Sequence, residues 1–262
     1  MVNVTMRLPH KPLLIALVLC SPLQLMRAQA PVVPDWALPG SATHHQVPPP
    51  EGFHRATTTF DTPIGVFDGQ SDIGSALVAG SASYDSGTKQ YRINSAGYNI
   101  WYNRDEFRYL WKKVSGDVSI AADITYPNAA GYGDRKAVLI IRQDLDDDSK
   151  EAMVALHGAG LIHLAQRPEK NANIKEACRI ASSAYAVTPG VPVRLGIEKR
   201  GDTFALYVSL KGEPMHAFGP TMDLHIDGPF YAGIAFCSHL PATSDAAVLS
   251  NVVFENSAGL VH

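Results

Sequence analysis

Gly-Asp-Val-Ser-Ile-Ala-Ala-Asp-Ile-Thr-Tyr, residues 116–126, decides the class of fold. Val118, Ile120, Ala122, Ile124 and Tyr126 alternate with Ser119, Ala121, Asp123 and Thr125. A side-chain period of two belongs to a half-buried strand. Downstream, Ala137 to Arg142 (Ala-Val-Leu-Ile-Ile-Arg) is apolar on both faces, which predicts a central strand. Glu151 to His157 and Leu161 to Arg167 follow, joined by Gly158-Ala159-Gly160, a short hairpin signal. Val191 to Lys199 and Thr203 to Leu210 flank Arg200-Gly201-Asp202 in the same way, and Phe230 to Cys237 and Ala247 to Phe254 close the domain. Short strands at close spacing, punctuated by Gly and Asp turns, predict an all-β sandwich or barrel. One stretch is ambiguous. In Asp105 to Val114, Phe107, Leu110, Trp111 and Val114 are spaced as on a helix that Asp105 would cap, yet Phe107, Tyr109 and Trp111 alternate as on a strand.

The chain has 262 residues, 46% hydrophobic and 18% charged, a composition that can bury a sizeable core and is not that of a disordered chain. Arg7 and Lys11 precede the apolar run Leu13 to Cys20, and Ala28-Gln29-Ala30 resembles a small-residue cleavage site. This is the layout of a secretory signal peptide over 1–30, so a periplasmic or extracellular protein is expected after cleavage near Ala30. Leu19 before Cys20 argues against lipid attachment there. No apolar run reaches the roughly 18 residues of a spanning helix. Loss of the signal removes Arg7, Lys11 and Arg27 and no acid, taking the formal charge from −3 to −6. A mildly acidic surface argues against nucleic acid as a partner. Residues 31–55 hold Pro31, Pro34, Pro39, Pro48, Pro49 and Pro50 and predict an extended, loosely held linker. The domain is expected over 56–257, with a tail at 258–262. Cys178 and Cys237 remain after cleavage, either paired in the oxidising compartment or buried as free thiols, with the free state favoured.

The chemistry of common hydrolases is missing. There is no Gly-x-Ser-x-Gly elbow, no His-Glu-x-x-His, no Cys-x-x-Cys and no phosphate-binding glycine loop. No apolar strand carries two acids at the spacing that would face a sugar together. Glu198 shares a strand face with Arg194 and Arg200 and reads as an ion-pairing residue. The protein is therefore expected not to be an enzyme and to need no cofactor or metal. Calcium is the ion considered for Asp144, Asp146, Asp147 and Asp148, but the glycine of a calcium loop is missing there, Lys150 follows, and an Asp-capped turn is favoured. His44, His45 and His54 show no ligand spacing.

The segments Ala-Gly-Tyr-Asn-Ile-Trp (96–101), Asp105-Glu-Phe-Arg-Tyr109, Gly116-Asp-Val-Ser-Ile120 and Lys136-Ala-Val-Leu-Ile-Ile-Arg142 occur in that order. Leu145-Asp-Asp-Asp-Ser149, His157-Gly-Ala-Gly-Leu161 and Ala-Gly-Ile-Ala-Phe-Cys-Ser-His (232–239) follow. This order resembles bacterial concanavalin A-like/laminin G-like jelly-roll domains, closest to an uncharacterised group related to "regulation of enolase" domains. The resemblance covers about residues 60–256. It implies a two-sheet antiparallel jelly-roll sandwich with one concave face, in an exported protein that often sits beside other modules, some of them with Tol-type biopolymer-transport labels. It transfers no catalytic set.

In such a fold a glycan would lie on a concave sheet or its rim, its ring faces stacked on aromatics and its hydroxyls bonded by polar side chains. Trp101, Tyr102, Tyr109 and Trp111 form the densest aromatic cluster, although both tryptophans also suit a core. His163 and Arg167, four apart, share a strand face, with His157 across the hairpin, Arg142 and Gln143 ending the preceding strand, and His239 at the rim. The candidate ligand-binding residues are thus Trp101, Tyr109, Trp111, Arg142, Gln143, His157, His163, Arg167 and His239. A double change of His157 and Arg167 to Ala is expected to abolish glycan retention with the melting temperature nearly unchanged. The expected activity is that of an exported, monomeric, non-catalytic module that binds carbohydrate or another envelope polymer; the alternative is a periplasmic protein-interaction or structural module, such as one of a Tol-type biopolymer-transport assembly, and a glycan hydrolase or lyase ranks below both.

Overall fold

A computed structural model describes residues 1–2, 35, 38, 46–50, 52–181, 188 and 190–261. The chain divides into units 1–32 and 33–262, and the fold is that of the second. Residues 3–30 of the expected signal segment, Cys20 among them, and His44 and His45 lie outside the described residues. Among those residues no helix is long and apolar enough to cross a membrane.

In chain order the strands begin with β1 (Thr58–Phe60), β2 (Gly69–Ile73), β3 (Ser81–Asp85), β4 (Gln90–Ser95), β5 (Ile100–Trp101) and β6 (Arg104–Asp105). β7 (Phe107–Val114), β8 (Val118–Thr125), β9 (Lys136–Arg142), β10 (Glu151–His157), β11 (Ile162–Arg167) and β12 (Lys175–Ile180) follow. β13 (Val193–Arg200), β14 (Thr203–Ser209), β15 (His216–Asp223), β16 (Phe230–Cys237) and β17 (Asp245–Glu255) complete the order. Eight strands form one sheet, β1-β2-β7-β16-β9-β10-β11-β12, and seven form the other, β15-β14-β13-β8-β17-β4-β3. All pairings are antiparallel, and the protein is the two-sheet sandwich expected from its alternating strands. Asp105 to Val114 is a strand from Phe107 onward, so the helical alternative is incorrect. Its backbone is paired by β2 over Phe107–Trp111 and by β16 over Arg108–Val114, and these two ladders outweigh a weak helical stripe.

The main core fills the space between the sheets with Leu110, Leu139, Ile141, Val154, Leu164 and Ile234 from one side and Ile120, Ile124, Leu195, Ile197, Leu206 and Leu249 from the other. A second apolar layer covers the outer face of the eight-stranded sheet. Val138, Ile140, Met153, Ala155, Ala165 and Ala235 form its floor, and Ile100 and Ile174 close over it with Trp101 and Leu145 partly buried alongside. This explains why β9 is apolar on both faces: each is a core face.

Residues 46 and 55 of the expected linker and residues 259 and 260 of the expected tail are tied to the sandwich more firmly than the composition of those segments suggests. Gln46 donates from Nε2 to the carbonyls of Tyr98 (2.9 Å) and His239 (3.2 Å), and Arg55 N–H donates to Asp147 at 2.7 Å. At the other end Gly259 N–H donates to Glu198 at 2.5 Å and Leu260 N–H to Ser119 Oγ at 3.2 Å. Glu198 also meets Arg200 at 3.3 Å, the ion pair expected of it, while Arg194 pairs with Asp123 at 2.8 Å. Cys237 is buried and Cys178 half-buried, and both are free thiols.

Candidate functional site

Strand register distributes the polar side chains of the outer face to its two ends. On β9 the outward residues are Lys136, Val138, Ile140 and Arg142, and on β10 they are Glu151, Met153, Ala155 and His157. Antiparallel pairing sets Arg142 beside Glu151 and Lys136 beside His157, and sets Glu151 beside Arg167 of β11. Six residues of strand, roughly 20 Å, separate the two ends, with apolar side chains between.

At the first end lies a cavity of about 270 Å³. Its floor and walls include Lys136, His157, His163 and Leu161 from the sheet, and Glu176 and Arg179 reach in from β12. The β5–β6 hairpin folds over the sheet and brings in Trp101 and Tyr102, the latter at φ 37°. The loop before β9 contributes Tyr132 and Asp134, and His239 stands just after β16 at φ 65°. Two ring pairs line the space: Tyr132 stacks on His239 at 5.4 Å, and Trp101 lies tilted by 40° against His163 at 5.3 Å. His157 meets His163 edge to face at 5.1 Å. The ring nitrogens of His157 and His163 have no hydrogen-bond partner among the described residues, though Asp134 lies 3.6 Å from His157 Nδ1 and Glu176 3.7 Å from His163 Nδ1.

Burial governs the charge of these groups. It pushes the imidazolium of His157 down to about 4 and that of His239 down to about 3, and holds His163 well below its ordinary range, with the charge of Lys136 acting in the same sense. The Lys136 ammonium itself is pushed down to about 8 by burial. All three imidazoles are therefore neutral at pH 7, each offering one donor and one acceptor. A depressed histidine stabilises the fold fully above its unfolded value of 6.5 and loses that contribution as pH falls through the folded value. His157 alone accounts for about 3 kcal/mol over that window. Urea unfolding of the wild type should weaken from pH 6.5 towards pH 4, and the His157→Gln, His163→Gln double variant should weaken markedly less. Parallel pH profiles for the two proteins would refute this.

At the opposite end Asp105, Arg142, Glu151 and Arg167 form an ion network, all four with side chains fully buried. Arg167 grips both oxygens of Asp105, at 2.7 and 2.8 Å, and its Nη1 lies 3.4 Å from Glu151. Arg142 donates to Asp105 at 2.8 Å and to Glu151. Burial pushes the Glu151 carboxyl up to about 7. Asp105 is also buried, but the two guanidiniums outweigh this and hold its carboxyl below the usual carboxylate value.

The nine residues singled out from sequence separate accordingly. Trp101, His157, His163 and His239 meet in the cavity. Tyr109 is a core residue whose hydroxyl donates to the Ile140 carbonyl at 3.1 Å. Trp111 is also in the core, its indole donating to Ser71 Oγ at 2.9 Å and packing edge-on against Tyr231. Arg142 and Arg167 belong to the buried network, so they present nothing to a ligand. Gln143 exchanges two 2.8 Å hydrogen bonds with the Asp227 backbone, away from the cavity. The double change of His157 and Arg167 to Ala therefore cannot leave the melting temperature nearly unchanged, because Arg167 holds a fully buried ion network. Sequence reading missed Asn99, Tyr132, Asp134, Lys136, Glu176 and Arg179. Lys136 carried a signal, being a lysine that opens an otherwise apolar central strand. The others lie on loops or the edge strand, and only the fold brings them in.

The acidic loop is an Asp-organised turn. Asp144 accepts from Asp146 N–H at 3.0 Å, and Ser149 Oγ accepts from Asp144 N–H at 3.0 Å. His54 Nδ1, 2.8 Å from Asp147, and Asp148 complete a group whose ligand atoms lie within 4.8 Å of one another. Protein cations already answer these carboxylates: Lys170 bonds Asp144 at 3.2 Å and Asp146, and Arg104 lies 3.9 Å from both Asp147 and Asp148. Calcium prefers six to eight oxygen ligands, which this histidine-bearing, cation-filled group does not supply. Adding calcium or EDTA should move the melting temperature by less than about 1 °C, and a rise of several degrees with calcium would overturn this reading.

No protein-family model matches the chain, and no curated protein matches it. Among solved structures, a functionally unknown protein from Saccharomyces cerevisiae is similar at TM-score 0.50 and 14% identity, over 69% of this chain and 92% of that one. A xylan beta-1,4-xylosidase from Bacillus halodurans C-125 is similar at TM-score 0.49 and 14% identity, over 75% of this chain and 40% of that enzyme. The carbohydrate binding module CBM66 from Bacillus subtilis is similar at TM-score 0.41 and 16% identity, over 77% of this chain and 96% of that one. At such identities the likeness is one of fold. The protein is an all-β, two-sheet jelly-roll sandwich. It carries a second apolar layer on the outer face of one sheet and a histidine-lined cavity beside it.

Proposed function

We propose that the protein is a non-catalytic binding module that holds one sugar unit of a glycan or envelope polymer in the cavity at the Lys136–His157 end of the outer face. One observation carries this reading: a single cavity is lined both by the rings of Trp101, Tyr102 and Tyr132 and by His157 and His163, whose ring nitrogens have no hydrogen-bond partner among the described residues. Aromatic faces match the apolar faces of a sugar, and donors and acceptors beside them match its hydroxyls. Its 270 Å³ falls at the small end of ligand cavities, which begin near about 300 Å³, so one ring fits better than a chain. Non-catalytic action is supported by the neutral histidines, whose depressed basicity makes them poor general bases at pH 7. It is also supported by the pairing of Glu176 with Arg179 at 2.6 Å.

The test is a glycan array probed with the purified protein, repeated with Trp101→Ala. Reproducible retention of a set of glycans is expected, and Trp101→Ala should weaken it by about tenfold or more through loss of the stacking face. A blank array from well-folded protein, or retention indifferent to Trp101→Ala, would overturn the proposal.

A further inference from the structure

The buried arginines of this fold each face a carboxylate: Arg104 faces Asp147 and Asp148, Arg108 faces Asp72, Arg135 faces Asp245, and Arg142 and Arg167 share Asp105 and Glu151. Lys136 does not. It is 2% exposed, and among the described residues its ammonium donates only to neutral oxygens, Asn99 Oδ1 and, at 3.3 Å, the Ile100 carbonyl. A buried cation without a counter-ion is costly, and proteins usually pair it. Here the ammonium borders the cavity with a third N–H to spare. Its neighbours complete the pattern of a site for negative charge. His157 and His163 are 6% and 1% exposed, and each offers an N–H with no partner among the described residues.

We propose that the cavity takes the carboxylate of an acidic sugar, a uronic acid, with the Lys136 ammonium as its counter-cation and the His157 and His163 rings as hydrogen-bond donors. This rests on the glycan-binding reading above and narrows it to a substrate class. The acids at the site do not oppose it. Glu176 is neutralised by Arg179, and Asp134, with its side chain 57% exposed, stands at the mouth near His157. Lys136, 2% exposed, is thus buried deeper than either acid, whose side chains are 18% (Glu176) and 57% (Asp134) exposed. A carboxylate that reaches the floor gains the charge-assisted bond, while its ring lies against Trp101, whose face already stands 5.5 Å from the Lys136 ammonium.

The test is titration calorimetry at pH 7 with oligomers of galacturonate, glucuronate, mannuronate and guluronate, each beside its carboxyl-reduced neutral counterpart. At least one acidic oligomer should bind about tenfold or more tighter than its reduced partner, with the preference shrinking as salt is raised. Lys136→Met should bring acid and neutral forms to parity. Should that variant not fold, the preference of the unmodified protein and its salt dependence decide alone. Equal binding of acid and reduced forms would overturn this inference and leave the glycan reading standing, as would an acid preference untouched by a folded Lys136→Met. Binding of neither form from any pair, by folded protein, would overturn this inference and count against the glycan reading too.

Discussion

Arg167→Ala should lower the unfolding free energy by about 3–5 kcal/mol, because it leaves buried carboxylate without its partner. Arg167 supplies two bonds to Asp105, one to the Ser149 carbonyl at 2.9 Å and one to the Ala172 carbonyl at 3.1 Å. Removing it strands Asp105 and Glu151 on a single guanidinium, in a place that water does not reach. A urea or guanidinium midpoint measured at pH 7 checks the loss. The four charges need not be worth that much to the native fold. Replacing Asp105, Arg142, Glu151 and Arg167 together by apolar residues of similar size should cost far less than the single change. If Arg167→Ala costs under 1 kcal/mol, the network is not the dry ion cluster described here. The two carboxyls respond oppositely to pH. Asp105, held low, contributes stability present above its unfolded value of 3.8 and lost as pH falls through its folded value. Glu151, pushed up to about 7, favours the folded state below its unfolded value of 4.5 and loses that contribution as pH rises through 7.

Gly233→Ala should cost more than about 4 kcal/mol and leave little folded protein. Gly233 sits in the middle of β16, paired to Trp111 on one side and Ile140 on the other. A Cβ there would stand 1.9 Å from the Leu110 carbonyl oxygen and 3.0 Å from the Trp111 Cα. Both are backbone atoms of a strand held in a central ladder, so neither can swing aside as a flexible side chain would. Glycine in a strand interior marks such a close backbone approach. Soluble yield and far-ultraviolet circular dichroism would check the outcome. A variant that folds with an unchanged melting temperature would show that the two strands have room to part.

The fold class was legible because sandwich strands write their burial into an alternation of period two. Val118 to Tyr126 shows that alternation, and Ala137 to Arg142 shows its absence where both faces are covered. The hairpins around Gly158-Ala159-Gly160 and Arg200-Gly201-Asp202 follow from turn chemistry, which is local. Asp105 to Val114 was ambiguous because its aromatics satisfied two periods, and only the ladders with β2 and β16 chose between them. The site was legible in part. His157 and His163 could be placed on neighbouring strands of one hairpin, since the separation of four residues fixes that His163 and Arg167 share a face. Arg167 nonetheless belongs to a buried ion network and not to the cavity, because four residues of strand carry it beyond an apolar band and under a loop. Whether a cation on a strand meets a carboxylate or an open cavity depends on which distant segment covers that end of the sheet. For Arg142 and Arg167 it is Asp105, and for Lys136 it is Asn99 and Trp101. Periodicity along the chain thus determined which side chains share a face. Contacts between segments far apart in sequence, which alone set burial and charge pairing, decided which of them a ligand can reach.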